Sequence, residues 1–427
     1  MFDLIVKGGL IFKDEGFHKK DIAIKDGTIK LIAENIEERA KYTIGAQDKL
    51  VFPSFANLHT HVSMSLLRGI GSDLTLMDWL QKVIWPLESE FVSPEFVKIG
   101  ALLGIAEMIR SGTTLFLDMY FFEEKVAEAA EEAGIRAGLG FGILDFPTKV
   151  AKTPEEYISR CEVLIKEFSD SELLFPVVAP HAVYTCSPST LEKSFSLAYK
   201  YNTFVHIHLS ETKSEVERVK EEYGNTPVRH LEKLGLLSEK LICAHVVWTD
   251  EEEREILKER KVNVVHCPES NLKLGSGIAP ITDYLKRGIK VSLGTDGPAS
   301  NDNLDMLEEM STMAKLHKGV NLDAGVMDAK TAFKIATENG FNICGIKAGK
   351  IEEGYQADLI IVNREGIHFH PLYDPLAQFV YSAKSSDIET VICNGRVIME
   401  KREFKTIDEE KLIYEVKRWA EKIRSFI

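Results

Sequence analysis

The sequence lacks long apolar runs and an excess of basic residues. No run approaches the roughly 18–20 apolar residues that a membrane helix needs, although 44% of the 427 residues are hydrophobic. The formal net charge is −14 at pH 7, which disfavours nucleic acid or an anionic membrane as a partner, because phosphate groups are bound by basic surfaces. The start, MFDLIVKGG, has no basic segment followed by a long apolar stretch. We expect a cytoplasmic protein with a large buried core.

Cysteine is scarce and shows no pattern. The six cysteines form no C-x-x-C pair, so neither a disulfide framework nor a structural zinc site is predicted from them. We expect reduced, mostly buried thiols at positions 161, 186, 243, 267, 344 and 393.

The two ends of the chain share a β pattern. Short apolar runs surround Asp26-Gly27 near the start and Asn394-Gly395 near the end, and both dipeptides are hairpin turn signals. Neither end has enough strands to close a core alone. We therefore predict one small β-sandwich domain built from residues 1–54 and 349–405, followed by an amphipathic C-terminal helix within 406–427.

The middle of the chain, residues 55–348, alternates β-rich apolar runs with helical patterns, which indicates a parallel sheet. Eight such units over about 300 residues are typical of a (β/α)8 TIM barrel, in the α/β class, whose active site lies at the carboxyl ends of the strands. The predicted strands are 50–59, 113–119, 135–144, 173–180, 203–209, 240–247, 262–268 and 290–295.

Histidine and carboxylate side chains follow the ends of these predicted strands. In a strand, residues two apart share a face and lie roughly 6.5–7 Å apart, so His59 and His61 can bind one ion. An isolated pair of this kind is more often two ordinary polar residues at a strand end. Here the barrel would gather further candidates around the same mouth, namely His181, His206, His208, Glu211, His245 and Asp296.

These residue types favour a metal site. Zinc is bound by imidazole and carboxylate groups, and a catalytic site leaves one position for water. His59, His61, one histidine of strand five and Asp296 supply three nitrogens and one oxygen. We select His208 because it lies nearer the mouth, and expect His206 deeper, as a supporting or core histidine. We predict one divalent ion per chain. Zinc is the first expectation, although iron, manganese or nickel accepts the same ligands.

The motifs now resemble a known family. His-x-His after strand one, HLSE at 208–211, SNLKLGSGIAP at 270–280 and GTDGPASN at 294–301 are similar to those of the amidohydrolase superfamily. More narrowly, they resemble its 5'-methylthioadenosine/S-adenosylhomocysteine deaminase branch, which has chlorohydrolase relatives. The similarity extends over nearly the whole chain, including GKIEEGYQADLIIV at 349–362.

The resemblance implies roles for individual residues. The metal ligands would be His59, His61, His208 and Asp296, with Asp296 also taking a proton from the attacking water. Glu211 would pass protons to the ring nitrogen, and His245 would orient the water. The nucleoside would be held by Trp79, Glu88 and His181, whose alternatives without the resemblance are helix core for Trp79 and a solvated charge for Glu88.

Two absences narrow the chemistry that the resemblance implies. Two-metal members of the superfamily usually carry a bridging lysine at the end of strand four, but here that end reads Val177-Val178-Ala179-Pro180-His181. This favours a single metal. The His-x-Glu and Cys-x-x-Cys signature of another deaminase class is also absent.

The predicted reaction is hydrolytic deamination of the adenine ring of 5'-substituted adenosines, giving inosine analogues and ammonia. One alternative is the same metal chemistry on guanine, cytosine or an s-triazine, including dechlorination. Another is a catalytically inactive binding or assembly protein, which would have a broken ligand set. The partner is a small nucleoside, and a homo-oligomer stays possible.

Residues 138–156 are expected to lie near the 5' end of the substrate. They contain Phe141 and Phe146 but no arginine. A carboxylate such as that of S-adenosylhomocysteine favours a guanidinium partner. Lys149 and Lys152 could supply charge, or could form a solvated loop face. The sequence therefore predicts higher kcat/KM for 5'-methylthioadenosine or 5'-deoxyadenosine than for S-adenosylhomocysteine, with adenosine also accepted.

Overall fold

A computed structural model describes residues 1–427, and its strands form two sheets. Eight parallel strands make a barrel in which each strand neighbours the next along the chain. The α/β class and the TIM barrel with a β domain from both chain ends are confirmed. The barrel strands are β6 (Phe55–Thr60), β7 (Thr113–Asp118), β8 (Arg136–Ile143), β9 (Leu174–Pro180), β10 (Val205–Leu209), β11 (Leu241–His245), β12 (Asn263–His266) and β13 (Lys290–Leu293).

The second sheet has nine strands and joins the two ends of the chain. Its strands are hydrogen-bonded into one continuous sheet, with a separate core of 14 buried residues, where the sequence predicted a sandwich. The link between the chain ends is the antiparallel pairing of β5 with β14. The strands are β1 (Phe2–Lys13), β2 (Gly16–Lys25), β3 (Thr28–Ala33), β4 (Ala40–Gly45), β5 (Lys49–Pro53), β14 (Leu359–Asn363), β15 (Ile388–Cys393), β16 (Arg396–Glu400) and β17 (Glu403–Phe404).

Both predicted hairpin turns are present. Asp26 and Gly27 have φ of 50° and 68°, and Asn394 and Gly395 have 48° and 74°, as two-residue turns with both central residues left-handed require. The two turns also contact each other. A Cβ on Gly27 would lie 2.5 Å from Oδ1 and 3.1 Å from the backbone oxygen of Asn394, so this close approach and the positive φ both favour glycine.

The predicted first barrel strand, 50–59, is wrong in extent. Residues Lys49–Pro53 belong to the nine-stranded sheet, and only Phe55–Thr60 enters the barrel. The chain changes sheet at Ser54, whose N–H donates to the carbonyl of Asp358 at 3.1 Å. Both strands are buried and mostly apolar, so 50–59 has the pattern of one strand, and only Pro53-Ser54 interrupts the apolar residues at the point of the change. The division of domains at 54/55, 348/349 and 405/406 stays a proposal.

Helices surround the barrel and cover its mouth. The predicted C-terminal helix is present, and its Trp419 packs edge-on against Phe96 at 5.4 Å between ring centroids. None of the helices has the length and apolar character to cross a membrane. The helices are α1 (Leu76–Trp79), α2 (Trp85–Phe91), α3 (Pro94–Arg110), α4 (Glu123–Ala133), α5 (Pro154–Phe168), α6 (Pro188–Lys200), α7 (Lys213–Tyr223), α8 (Pro227–Lys233), α9 (Glu251–Glu259), α10 (Pro268–Lys273), α11 (Ile281–Arg287), α12 (Met306–Asn321), α13 (Ala329–Ala336), α14 (Glu338–Ile343), α15 (Pro375–Tyr381) and α16 (Glu409–Arg424).

Hydrogen bonds from the residues after β13 close the barrel against β6. The N–H of Asp296 donates to the carbonyl of His59 at 2.9 Å. The Asn57 side chain joins Thr295 twice, donating to its Oγ1 at 2.8 Å and accepting from its N–H at 3.1 Å. The first and last strands are thereby held together at the level of two predicted metal ligands.

One buried ion pair joins the barrel to the nine-stranded sheet. Arg136 at the start of β8 donates through Nε and Nη2 to the two carboxylate oxygens of Asp358, both at 3.1 Å. The side chains are 2% and 0% exposed. Removing one partner of such a pair leaves an uncompensated buried charge.

We expect Arg136→Met to lower the free energy of unfolding by about 3–5 kcal/mol, because Asp358 is then buried without a partner. Urea unfolding followed by circular dichroism measures the change. Arg260→Met, which breaks the exposed pair with Glu232, is the matched control and should change stability little. An equal effect of both variants would contradict the structural role of the Arg136–Asp358 pair.

Candidate metal centre and active site

Five predicted site residues meet at the carboxyl ends of the barrel strands. His59 lies near the end of β6 with His61 just beyond it, His208 lies in β10, His245 ends β11, and Asp296 follows β13. Nitrogen or oxygen atoms of His59, His208, His245 and Asp296 all lie within 4.8 Å of one another. His61 joins them, because its Nε2 is 3.2 Å from Oδ1 of Asp296 and 3.2 Å from Nε2 of His208.

The backbone fixes which nitrogen of His61 and of His208 carries the proton. His61 Nδ1 is 2.6 Å from the carbonyl oxygen of Met119, and His208 Nδ1 is 2.7 Å from that of His181. A carbonyl only accepts, so each Nδ1 donates and each Nε2 presents a lone pair to the centre. Histidines that bind metals are usually oriented in this way.

His59 has an unpartnered nitrogen at the centre. Its Nδ1 lies 2.7 Å from Nε2 of His206, while its own Nε2 is fully buried and has no hydrogen-bond partner. His206 thus lies behind His59, in the deeper, supporting position that the sequence favoured. A buried polar atom without a partner is costly, and a cation between these residues would satisfy it.

Asp296 supplies negative charge at this point. Burial alone would raise its pKa, but the imidazoles of His59 and His61, whose Nε2 atoms lie 3.4 and 3.2 Å from its Oδ1, hold the pKa well below its usual value. Ser270 and Ser300 donate hydroxyl hydrogen bonds to its Oδ2 at 2.6 and 2.8 Å. Burial would likewise lower the pKa of His61, but Asp296 raises it to about 9. The cluster therefore stabilises a positive charge, and its donor set fits a divalent metal.

The backbone beside these residues is locally unusual. Asp296 has φ of 62° and His245 has φ of 71°, a left-handed conformation that non-glycine residues adopt infrequently and that clusters at functional sites. A Cβ on Gly294 would lie 2.8 Å from the backbone nitrogen of His59. Glycine at this position therefore allows β6 and the segment after β13 to approach each other.

Glu211 lies beside the cluster as a buried acid. Burial raises its pKa, which favours the protonated form that can donate to a ring nitrogen. Ser276 donates to its Oε1 at 3.1 Å. The carboxylate of Glu215 accepts the N–H groups of Ser210 and Glu211 at 3.0 and 2.7 Å, which fixes the loop after β10.

His245 is oriented by a side-chain amide. Its Nδ1 is 2.9 Å from Oδ1 of Asn271, which accepts, so Nε2 presents a lone pair towards the centre. This Nε2 lies 3.9 Å from Oε2 of Glu211. His245 is thus placed between the cluster and the buried acid.

A cavity of about 550 Å³ opens from the cluster, and its lining includes the four predicted substrate-binding residues, Trp79, Glu88, His181 and Glu211. Burial raises the pKa of Glu88 to about 7, and the Tyr120 hydroxyl donates to its Oε1 at 2.7 Å. Burial lowers the pKa of His181 to about 3, so this imidazole is neutral. Trp79 is only 5% exposed, so it packs into the hydrophobic core as well as lining the wall of the cavity.

Sequence reasoning missed the residues that support this site. Six residues form hydrogen bonds to site residues or across the barrel closure, namely Asn57, Tyr120, Ser270, Asn271, Ser276 and Ser300. Four of them lie in the two motifs at 270–280 and 294–301, so the sequence already marked these segments as functional. Their partners, however, come from other strands, and spacing along the chain does not identify them.

Comparison with known proteins gives a consistent result. The model of the amidohydrolase family matches residues 50–398. A protein of Aquifex aeolicus named 5-methylthioadenosine/S-adenosylhomocysteine deaminase is 66% identical over 424 residues, which is 99% of this chain and 98% of that protein. A protein of Methanosphaera stadtmanae named 5'-deoxyadenosine deaminase is 41% identical over 98% of this chain and 99% of its own length.

A solved structure shows the same fold with a metal. An adenosine deaminase of Xanthomonas campestris with bound zinc has a TM-score of 0.97 at 36% identity, over 99% of each chain. The resemblance of the motifs to the 5'-methylthioadenosine/S-adenosylhomocysteine deaminase branch is confirmed by these relatives. The chain therefore belongs to the amidohydrolase family.

Proposed function

We propose that this protein is a metal-dependent aminohydrolase that deaminates the adenine ring of 5'-substituted adenosines. The observation that carries the proposal is a buried cluster of three histidines and one aspartate. It lies next to Glu211, a buried acid whose pKa is raised by burial, at the base of a cavity of about 550 Å³. The names of the relatives support 5'-methylthioadenosine, S-adenosylhomocysteine and 5'-deoxyadenosine as substrates, with adenosine as a further one.

His59, His61, His208 and Asp296 would hold one divalent metal, with His245 directed at the same point. A bound divalent metal supplies Lewis-acid activation of water at neutral pH. Zinc is supported by the nitrogen-rich donor set and by the zinc in the Xanthomonas campestris structure. A single metal is supported by the end of β9, where no lysine follows Leu174–Pro180.

The attacking water is positioned by His245 and deprotonated by Asp296. The Nε2 lone pair of His245 can accept a hydrogen bond from the water, because Asn271 holds the proton on Nδ1. Asp296 stays anionic at neutral pH and can therefore accept a proton. Ser270 and Ser300 hold its carboxylate in place during the transfer.

Glu211 acts on the adenine ring, whereas Asp296 and His245 act on the water. Its protonated carboxyl donates to N1 of the adenine ring, which makes C6 more electrophilic. The water oxygen forms a bond to C6, and Asp296 passes the proton that it took from the water to the exocyclic nitrogen. The bond from C6 to that nitrogen then breaks, ammonia leaves, and the proton of the new C6 hydroxyl returns to the Glu211 carboxylate. The net reaction consumes one water and gives the inosine analogue.

The rest of the nucleoside is held by the cavity wall. Glu88, oriented by Tyr120, would accept hydrogen bonds from the ribose hydroxyls. His181 would face the purine as a neutral acceptor. The Thr185 hydroxyl donates to the carbonyl of Ala182 at 3.1 Å, so it accepts from His181 Nδ1 at 3.0 Å and leaves Nε2 with the lone pair. Trp79 would provide an aromatic surface.

The first prediction concerns the metal. We expect His59→Ala and Asp296→Ala to lower bound metal well below one per chain and to abolish activity, because each removes a ligand. Metal analysis of the purified proteins measures this. His181→Ala is the matched control: its side chain lies outside the ligand set and it should retain the metal. Full activity in metal-stripped protein would contradict the mechanism.

The second prediction concerns the acid. Glu211→Gln should keep the metal and bind substrate, but lose turnover by ~10²–10⁴-fold, the usual contribution of general acid–base catalysis. Metal content and kcat are measured on the same preparation. Loss of the metal from this variant would show that Glu211 is a ligand and not the proton donor.

The third prediction concerns the ring. Ammonia release from a panel of adenine, guanine, cytosine and s-triazine compounds should be highest by far for the 5'-substituted adenosines. A guanine, cytosine or triazine compound as the best substrate would establish the alternative ring chemistry. Absence of turnover on the whole panel, with metal bound, would favour an inactive binding or assembly protein, although all the proposed ligands are present.

A further inference from the structure

A second cavity adjoins the proposed active site. Its volume is about 440 Å³, and Trp85, Phe146 and Tyr184 border both this cavity and the active-site cavity. The rings of Trp85 and Phe146 pack 5.6 Å apart between centroids. Tyr184 also contacts the His181 ring edge-on at 6.0 Å. The second cavity therefore begins at the residues that line the nucleoside site.

Arg218 lines this second cavity without a carboxylate partner. It lies on α7, the helix that directly follows the Glu211 loop. Its guanidinium carbon is 5.5 Å from the centroid of the Tyr184 ring, and its side chain forms no ion pair or hydrogen bond within the protein. The fork of donors is thus open to a ligand.

Acidic side chains face the same space. Asp145 and Glu222 line the cavity together with Arg218. Asp145 is fixed by the N–H of Ser187, which donates to its Oδ2 at 2.7 Å. A cavity with one open guanidinium and a fixed carboxylate complements a zwitterion, such as the amino-acid end of a substrate.

The two lysines that the sequence suggested for this task are already engaged. Lys149 donates to the backbone carbonyl of Glu90, and Lys152 donates to the carbonyl of Thr148 at 3.0 Å. Both line the nucleoside cavity, but their ammonium groups serve the loop. Arginine also binds carboxylates in a bidentate geometry that lysine cannot provide.

We propose that the second cavity receives the amino-acid end of S-adenosylhomocysteine, with Arg218 binding the α-carboxylate and Asp145 binding the α-ammonium. This inference rests on the proposed function, since it assigns one end of the same substrate. The expectation that 5'-methylthioadenosine exceeds S-adenosylhomocysteine assumed that no guanidinium was near. Arg218 removes that assumption, because it enters the adjoining cavity from α7 and does not belong to residues 138–156.

The test compares two substrates in one variant. Arg218→Gln should lower kcat/KM for S-adenosylhomocysteine roughly tenfold, the order expected for a charge-assisted hydrogen bond, and leave 5'-methylthioadenosine within twofold. Asp145→Asn should show a smaller loss with the same selectivity. Lys220→Gln is the matched control, because it removes an exposed positive charge from α7 without touching either cavity.

Turnover of 5'-methylthioadenosine in the same preparation reports that the variant is folded and that the proposed function holds. In wild type, added salt should raise KM for S-adenosylhomocysteine, because salt screens an exposed ion pair, and Arg218→Gln should remove this dependence. Equal effects on both substrates, or none on either, would overturn the subsite while leaving deamination intact. Failure of wild type on both substrates would instead refute the proposed function.

Discussion

The closure of the barrel by hydrogen bonds between its first strand and the residues after its last is the constraint on which the site depends. Asn57 pairs with Thr295, and the N–H of Asp296 binds the carbonyl of His59. These bonds bring ligands about 240 residues apart in the chain to one point. The missing side chain of Gly294 permits the close approach. The metal-binding geometry is therefore a property of the closed barrel.

The pKa shifts of the carboxyl groups at the site follow from their burial and from the polar groups that each of them contacts. Asp296 stays anionic because histidines and hydroxyl groups surround it, whereas Glu211, buried with fewer donors, is shifted towards its protonated form. Two carboxyl groups in one pocket are thereby suited to the opposite roles that we propose for them, as acceptor and donor of a proton. Backbone carbonyls fix the tautomers of His61 and His208, which directs their Nε2 atoms at the proposed metal position.

The sequence predicted the elements whose signal is local. Turn dipeptides, alternating strands and helices, and the polar residues at strand ends all depend on short spacing, and the structure has them. The split of 50–59 was missed because both halves are buried strands and only Pro53-Ser54 marks the boundary between them. Arg218 was missed because α7 was not predicted and because a cavity is formed by segments distant in the chain. Supporting residues such as Asn271 and Ser300 lay in recognised motifs, but their partners required the three-dimensional fold.

The central claim is that one metal, held by His59, His61, His208 and Asp296, serves hydrolysis in this barrel. Diffraction from crystals of the purified protein, recorded at the absorption edge of its bound metal, tests it most directly. The account predicts a single anomalous peak about 2.0–2.2 Å from the Nε2 atoms of the three histidines and from a carboxylate oxygen of Asp296. Two peaks, a peak at other residues, or no peak in catalytically active protein would contradict it.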